Sequence, residues 1–201
     1  SLGLRMETPL FPLRTVLYPG GPLPLRIFEP RYLDMISRCM REDEPFGVLL
    51  IRDGSEIGGA KTYRVGTLAK IIDWYQGSDG LLGVTAIGTN RFRCNVDRRQ
   101  PDGLLIGEIE LLMEPPACLV PEDYRPSAAI LARVIDDLGR LYGGLDKNYE
   151  DAGWISYRFA EILPIHPDDK QALLETDDPI KRLESMRDVI ASVRMAPSQL
   201  S

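Results

Sequence analysis

Residues 9–32 read PLFPLRTVLYPGGPLPLRIFEPRY, with Pro9, Pro12, Pro19, Pro22, Pro24 and Pro30 spread along the stretch and Gly20-Gly21 at its centre. Each proline fixes its backbone φ and removes a hydrogen-bond donor, while the glycine pair admits positive φ. The stretch therefore predicts a stiff, irregular lead-in that resists regular strand pairing and presents Tyr18 at a surface loop. Pro30 suits the first position of a helix, and Tyr32, Leu33, Ile36 and Met40 then fall on one stripe as far as Arg41. A short helix capping one open end of a barrel is expected there. Arg26, Glu29 and Arg31 are placed to form charge-assisted hydrogen bonds within the same motif, which gives them an architectural role.

Downstream, as far as Glu114, short apolar runs alternate with turn residues, the pattern of strands. Strands are expected at 46–51, 65–74, 81–87, 91–96 and 105–112, with Gln76-Gly77-Ser78-Asp79-Gly80 as a hairpin loop. The alternation in 91–96 predicts Phe92, Cys94 and Val96 on one face and leaves Arg91 and Arg93 in water. Strands of uneven length, with a single helix among them, fit a small twisted barrel. Sustained strand-helix alternation, the mark of an open parallel sheet, is missing.

Glu114-Pro115-Pro116-Ala117-Cys118-Leu119-Val120-Pro121 breaks the strand pattern and reads as a linker. Beyond it the periodicity is helical. Ile130, Leu131, Val134, Ile135, Leu138 and Leu141 predict one helix ended by Gly143-Gly144, and Trp154, Ile155, Arg158, Phe159 and Ile162 predict a second. Pro167-Asp168-Asp169 and Asp178-Pro179 each open a shorter one, with acids at the positive end of the helix dipole. The fold class is thus α+β: a β-barrel subdomain over residues 8–114 with one inserted helix, then a helical bundle over 121–194.

The search for chemistry in the sequence returns little. No Gly-x-x-x-x-Gly-Lys-Ser/Thr phosphate loop and no Gly-x-Gly-x-x-Gly occurs. His166 is the only histidine, and it precedes a helix start, where a capping or loop role is expected. The acid pairs Asp136-Asp137, Asp168-Asp169 and Asp177-Asp178 read as caps and solvated faces. No catalytic residue, metal ligand or cofactor site is assigned. Cys39, Cys94 and Cys118 are odd in number and widely spaced, which predicts reduced structural thiols and a cytoplasmic location. No apolar run approaches the roughly 20 residues of a membrane span. The formal net charge of −6 disfavours nucleic acid.

The stretch from Pro9 to Tyr32 resembles the opening signature of the amino-terminal, substrate-binding domain of Lon-type ATP-dependent proteases. Further matches follow in register: Phe46-Gly47-Val48, Val65-Gly66-Thr67-Leu68-Ala69, Gly88-Thr89-Asn90-Arg91-Phe92-Arg93, and Asp168-Asp169-Lys170-Gln171-Ala172-Leu173-Leu174-Glu175 followed by Asp178-Pro179-Ile180-Lys181-Arg182-Leu183. The likeness runs over about residues 8–194. It implies a PUA-like β pseudo-barrel followed by a helical bundle, and a role in engaging protein substrates without the family's ATPase and peptidase domains. The expected partner is accordingly a protein or an unfolded peptide, with no membrane and no nucleic acid involved. Tyr18, Trp74 and Tyr75 are the expected contact residues, since aromatic side chains give large contact area at low entropy cost. RNA binding is the alternative, because PUA-like barrels include RNA binders and Arg91, Arg93, Arg98 and Arg99 lie close together.

Overall fold

The computed structural model describes residues 3–53 and 61–195. They fall into two compact units divided between Glu114 and Pro115.

The first unit contains β1 (Arg5–Leu13), β2 (Pro22–Ile27), α1 (Pro30–Glu42), β3 (Phe46–Asp53), β4 (Lys61–Thr62), β5 (Val65–Gln76), β6 (Leu82–Arg99) and β7 (Leu105–Leu111). Neighbouring strands run β1-β7-β6-β5-β3, and β3 returns to β1 through a parallel pairing of Leu10–Leu13 with Gly47–Leu50, so five strands close a ring. β6 is the long strand that makes this possible. One of its sides carries β5, and the other is shared between β2 at residues 82–87 and β7 at residues 92–99.

The proline-rich lead-in does pair, contrary to the sequence expectation. The two halves of β1 pair on different sides: residues 5–10 with β7 and residues 10–13 with β3. Pro9 and Pro12 thus each lie in a half that needs only one side. In β2, Gly88 N–H donates to Gly21 O at 2.8 Å, a register that turns Leu23 and Leu25 toward β6 and leaves Pro22 and Pro24 on the unpaired side.

The two strands expected at 81–87 and 91–96 are one. Gly88 does not break β6; it lets another backbone come close, since a Cβ there would stand 2.1 Å from the Tyr18 carbonyl oxygen. A register shift between Cys94 and Val96 explains a second departure. Phe92 and Cys94 are interior, whereas Val96 is carried out to solvent. Arg91, expected in water, is fully buried, and its Nε donates to Glu114 Oε1 at 2.7 Å. Arg93 is exposed as expected.

Two apolar clusters fill the unit. One joins Leu10, Leu49, Leu68, Phe92, Cys94 and Ile109 from five strands. The other gathers Phe11, Phe46, Val48, Val84 and Ile106 with Tyr32, Met35, Ile36 and Cys39 of α1. The rings of Phe11 and Tyr32 stack 4.0 Å apart. The helix therefore packs on the strands as a cap, but its buried stripe is rotated from the expected one: Met35 and Cys39 are inside and Met40 is exposed. α1 ends on Asp43, which takes a left-handed φ of 51°.

The second unit is helical: a 3-10 turn at Glu122–Tyr124, then α2 (Arg125–Asp137), α3 (Ala152–Ile162), α4 (Pro167–Glu175), α5 (Pro179–Ser185) and α6 (Arg187–Met195). α2 stops before the expected Gly143-Gly144, because Gly139 turns the chain with φ 48° and only a 3-10 turn follows at Gly139–Leu141. Three caps fix the helix starts. Asp151 accepts from Trp154 N–H at 2.9 Å, His166 Nδ1 from Asp168 N–H at 3.2 Å, and Asp178 from Ile180 N–H at 2.9 Å. The histidine is thus a cap. α3 is the central helix, packed on α2, α4 and α5, and it carries one of the unit's two fully buried arginines, Arg158. Arg182 of α5 ties three helices together: its Nε donates to Leu173 O at 3.2 Å, its Nη1 to Ser156 Oγ at 2.8 Å, and its plane lies 3.8 Å from the Tyr157 ring centre. Those contacts offset the cost of taking a guanidinium out of water.

Candidate functional site

Tyr18 does not belong to a contact surface. It is 0 % exposed, and its backbone forms the turn Tyr18-Pro19-Gly20-Gly21, in which Gly21 N–H donates to Tyr18 O at 3.0 Å and Gly20 takes φ 78°. Proline second and glycine third are what a turn with positive φ at its third residue requires. The aromatic ring points inward because the turn is pinned to β6 by the bonds of Gly20 and Gly21 to Gly88.

Trp74 and Tyr75, by contrast, are 54 % and 53 % exposed on the outer part of β5. As neighbours on a strand they project to opposite faces, so the structure does not bring them together. Tyr75 stands opposite Gly83 on β6, and its ring lies across that glycine, where a Cβ would meet Cζ at 2.3 Å. Beside it are Arg26 and Asp79, which form an ion pair at 3.1 Å. Arg26 thus pairs outside its own motif, with the loop that joins β5 to β6, while Arg31 donates to Glu29 at 3.0 Å within the motif as expected. Tyr75 covers a strand.

Trp74 lines a groove of about 580 Å³ between the end of α1 and β5. Its apolar surface comes from Met40, Pro45, Leu68, Ile71, Ile72 and Trp74. Among these, Met40, Ile72 and Trp74 are exposed, which is unusual for side chains of that size sitting together. Asp43, Glu44 and Asp73 line the groove with one cation, Lys70. Ile72 reaches it through an irregularity in β5: Ile71 pairs with Ala86 and Asp73 with Thr85, so Ile72 is the additional residue of a bulge.

The backbone on this side of β5 is also unusual. β3 pairs only with Thr67, Leu68 and Ala69, so from Lys70 onward the side of β5 away from β6 meets no other strand among the described residues. Trp74 N–H donates to the carboxylate of its neighbour Asp73 at 2.9 Å. Met40, Ile72 and Asp43 were missed from the sequence. Met40 could be found only as a member of the helical stripe, which assigned it to the core, and a bulge leaves no mark on apolar spacing.

The two buried thiols, Cys39 and Cys94, are poor nucleophiles. Burial pushes the Cys39 thiol up to about 11 and raises that of Cys94. Among the described residues no cluster of three His, Cys, Asp or Glu side chains is arranged to hold a metal ion, and no helix is long and apolar enough to cross a membrane.

The sequence model of the ATP-dependent protease La (LON) substrate-binding domain matches residues 7–192. The chain belongs to that family. The crystal structure of a Lon N-terminal domain protein from Xanthomonas campestris superposes with a TM-score of 0.75 at 34 % identity, covering 91 % of this chain and 98 % of that one. The N-terminal domain of the Mycobacterium avium complex Lon protease shares the fold at 16 % identity, with a TM-score of 0.61. Among curated proteins, Lon protease of Paraburkholderia phytofirmans is 28 % identical over 194 residues, which is 90 % of this chain and 24 % of that protein. Protein cereblon of Xenopus tropicalis is 30 % identical over 112 residues, 54 % of this chain and 24 % of its own length. The chain therefore spans about a quarter of the length of these curated relatives. The PUA-like pseudo-barrel with C-terminal helices, expected from the resemblance, is the fold of this Lon substrate-binding domain.

Proposed function

We propose that this Lon substrate-binding domain is a non-catalytic recognition module that holds unfolded or extended polypeptide, with Trp74 at its contact surface. The observation that carries the reading is the groove of the first unit, where exposed Trp74, Ile72 and Met40 stand together in a chain whose family is defined by substrate binding. Apolar anchors within a polar rim suit a site that accepts many sequences, because burial of apolar area is non-directional and recovers about 25 cal/mol per Å². Tyr75 contributes less, since its ring is partly engaged with Gly83.

A permanently unfolded, basic polypeptide such as reduced and carboxamidomethylated lysozyme provides the test, with binding followed by calorimetry against the native form. Binding of the unfolded form alone is expected, and Trp74→Ala is expected to weaken it at least 5-fold. Equal affinity for native and unfolded forms, or no binding of either, would refute the reading.

The RNA alternative draws no support from the geometry. Of the four arginines behind it, Arg91 is buried against Glu114, Arg98 stands 3.6 Å from Glu7, and Arg99 donates to Gly103 O at 3.0 Å.

A further inference from the structure

The groove offers a main chain as well as side chains. Residues 70–76 of β5 are bonded to β6 on one side, and on the other no strand pairs with them among the described residues. Strand edges of this kind normally carry a guard, such as a charge, a bulge or a proline. Two guards are present here. The bulge at Ile72 distorts the edge, and the Asp73 carboxylate occupies Trp74 N–H. The second guard is removable, because a carboxylate exposed to water can exchange its backbone partner for an incoming carbonyl at small net cost.

Resting on the polypeptide-binding reading above, we propose that the occupant is an extended segment of a partner polypeptide that adds to β5 as a strand along residues 70–76, with apolar side chains at alternate positions and lysine or arginine between them. Main-chain hydrogen bonds would then supply affinity that is indifferent to sequence, and the groove would select side chains at every second position. One set of alternate side chains faces Met40, Ile72 and Trp74. Asp43, Glu44 and Asp73, against the single cation Lys70, select cations along the rim. The same charges argue against a second copy of this chain as occupant, since edge-to-edge pairing would set three carboxylates of each copy against those of the other.

The probe is a synthetic peptide of about eight residues, the length of an ordinary strand, with valine at alternate positions and lysine or threonine between. Its binding is measured by fluorescence anisotropy, with single backbone N-methyl groups placed at each position in turn. Strand addition predicts a period of two: methylation weakens binding at least 10-fold at alternate residues and leaves the others within about 2-fold. Trp74→Ala is expected to weaken binding at least 5-fold, and replacing the lysines by glutamate should abolish it. The N-methyl series leaves the protein untouched, so misfolding of a variant cannot imitate the result. A flat N-methyl profile, or failure of the peptide to bind while unfolded lysozyme does, overturns strand addition and leaves the recognition role standing. If the lysozyme does not bind either, the recognition role falls with it. Self-association through β5, seen by sedimentation as a dimer that Asp73→Ala strengthens and the peptide does not displace, would overturn the choice of occupant.

Discussion

Arg158 shows how much a single buried residue can carry in this protein. It is fully buried in α3, and its Nε stands 3.2 Å from Glu161 Oε2. The Tyr142 hydroxyl donates to the same carboxylate, and Lys170 Nζ donates to the Glu161 backbone oxygen at 2.8 Å. Burial pushes the Glu161 carboxyl above its ordinary value, although Arg158, Tyr142 and Lys170 all pull it down. A carboxyl with its folded-state pKa raised above the unfolded value binds its proton more tightly when folded, so its contribution to stability grows as pH falls through that raised pKa. Arg158→Met removes the strongest opposing charge. The variant is expected to lose up to about 3 kcal/mol at pH 8, where the buried Glu161 carboxylate keeps only Tyr142 and Lys170 to stabilise its charge. The deficit should narrow as the pH is lowered toward about 5, because the carboxyl can then be buried neutral. Urea unfolding of both proteins across that range checks the sign, and a deficit that widens on acidification would contradict the assignment. Nothing in the sequence marked this cluster. Arg158 falls on the apolar stripe of its helix, but its partner Tyr142 lies 19 residues upstream of Glu161, and only the packing of the helices brings them together.

The thiols give a second residue-scale expectation. Cys39 and Cys94 are buried with raised pKa values, whereas Cys118 is partly accessible. Titration of the folded protein with a disulfide reagent near pH 8 should show one fast thiol, and Cys118→Ser should remove that phase. Fast modification of Cys39 would mean that α1 opens readily from the strands.

At the scale of elements, the glycines of the barrel separate what was legible from what was not. The strands, the inserted helix and the helical second half follow from apolar spacing and turn residues, and α1 starts at Pro30 as read. The errors arise where backbone contacts decide. Gly88 reads as a break in the sequence, yet it continues β6 because Tyr18 O approaches too closely for any side chain. The prolines read as obstacles to pairing, yet each has an unpaired side to face. The sequence placed both aromatics at the surface: Trp74 is exposed, whereas Tyr18 is locked inside by the turn that glycine and proline build. Gly88→Ala tests the point. The new Cβ would stand 2.1 Å from a backbone oxygen, closer than real contacts allow, so β6 or the turn must shift. A loss at or above the upper end of the about 1–3 kcal/mol typical of overpacking is expected in denaturant unfolding. Thr85→Ala in the same strand, which meets no such contact, serves as the control. A neutral Gly88→Ala would show that the pinned turn is softer than its hydrogen bonds indicate.

For the molecule as a whole, charge is the property that bears on the choice of partner. The chain carries 24 Lys and Arg against 30 Asp and Glu, a net of −6. A phosphate backbone is therefore repelled unless cations gather on one face, and the cluster at 91–99 is the one place where the sequence suggested that they do. Its members are largely occupied: Arg91 is buried on Glu114, Arg98 stands near Glu7, and Arg99 is held by Gly103 O. Arg93 is exposed to solvent, but its cross-strand partner on β7 is the carboxylate-bearing Glu110. An RNA site also needs aromatic faces for stacking next to its cations, and the exposed Trp74 is accompanied by Asp73, Asp43 and Glu44 instead. Anisotropy with a single-stranded RNA oligonucleotide should thus show no sub-micromolar complex at about 150 mM salt, where the screening length is about 8 Å. Any weak binding at low salt should be insensitive to Arg93→Ala. Each phosphate contact on a single strand adds about −0.7 to the slope of log affinity against log salt. A steep slope that Arg93→Ala and Arg98→Ala flatten by that amount each would reverse the conclusion, because it would show these side chains leaving their intramolecular partners to hold phosphates.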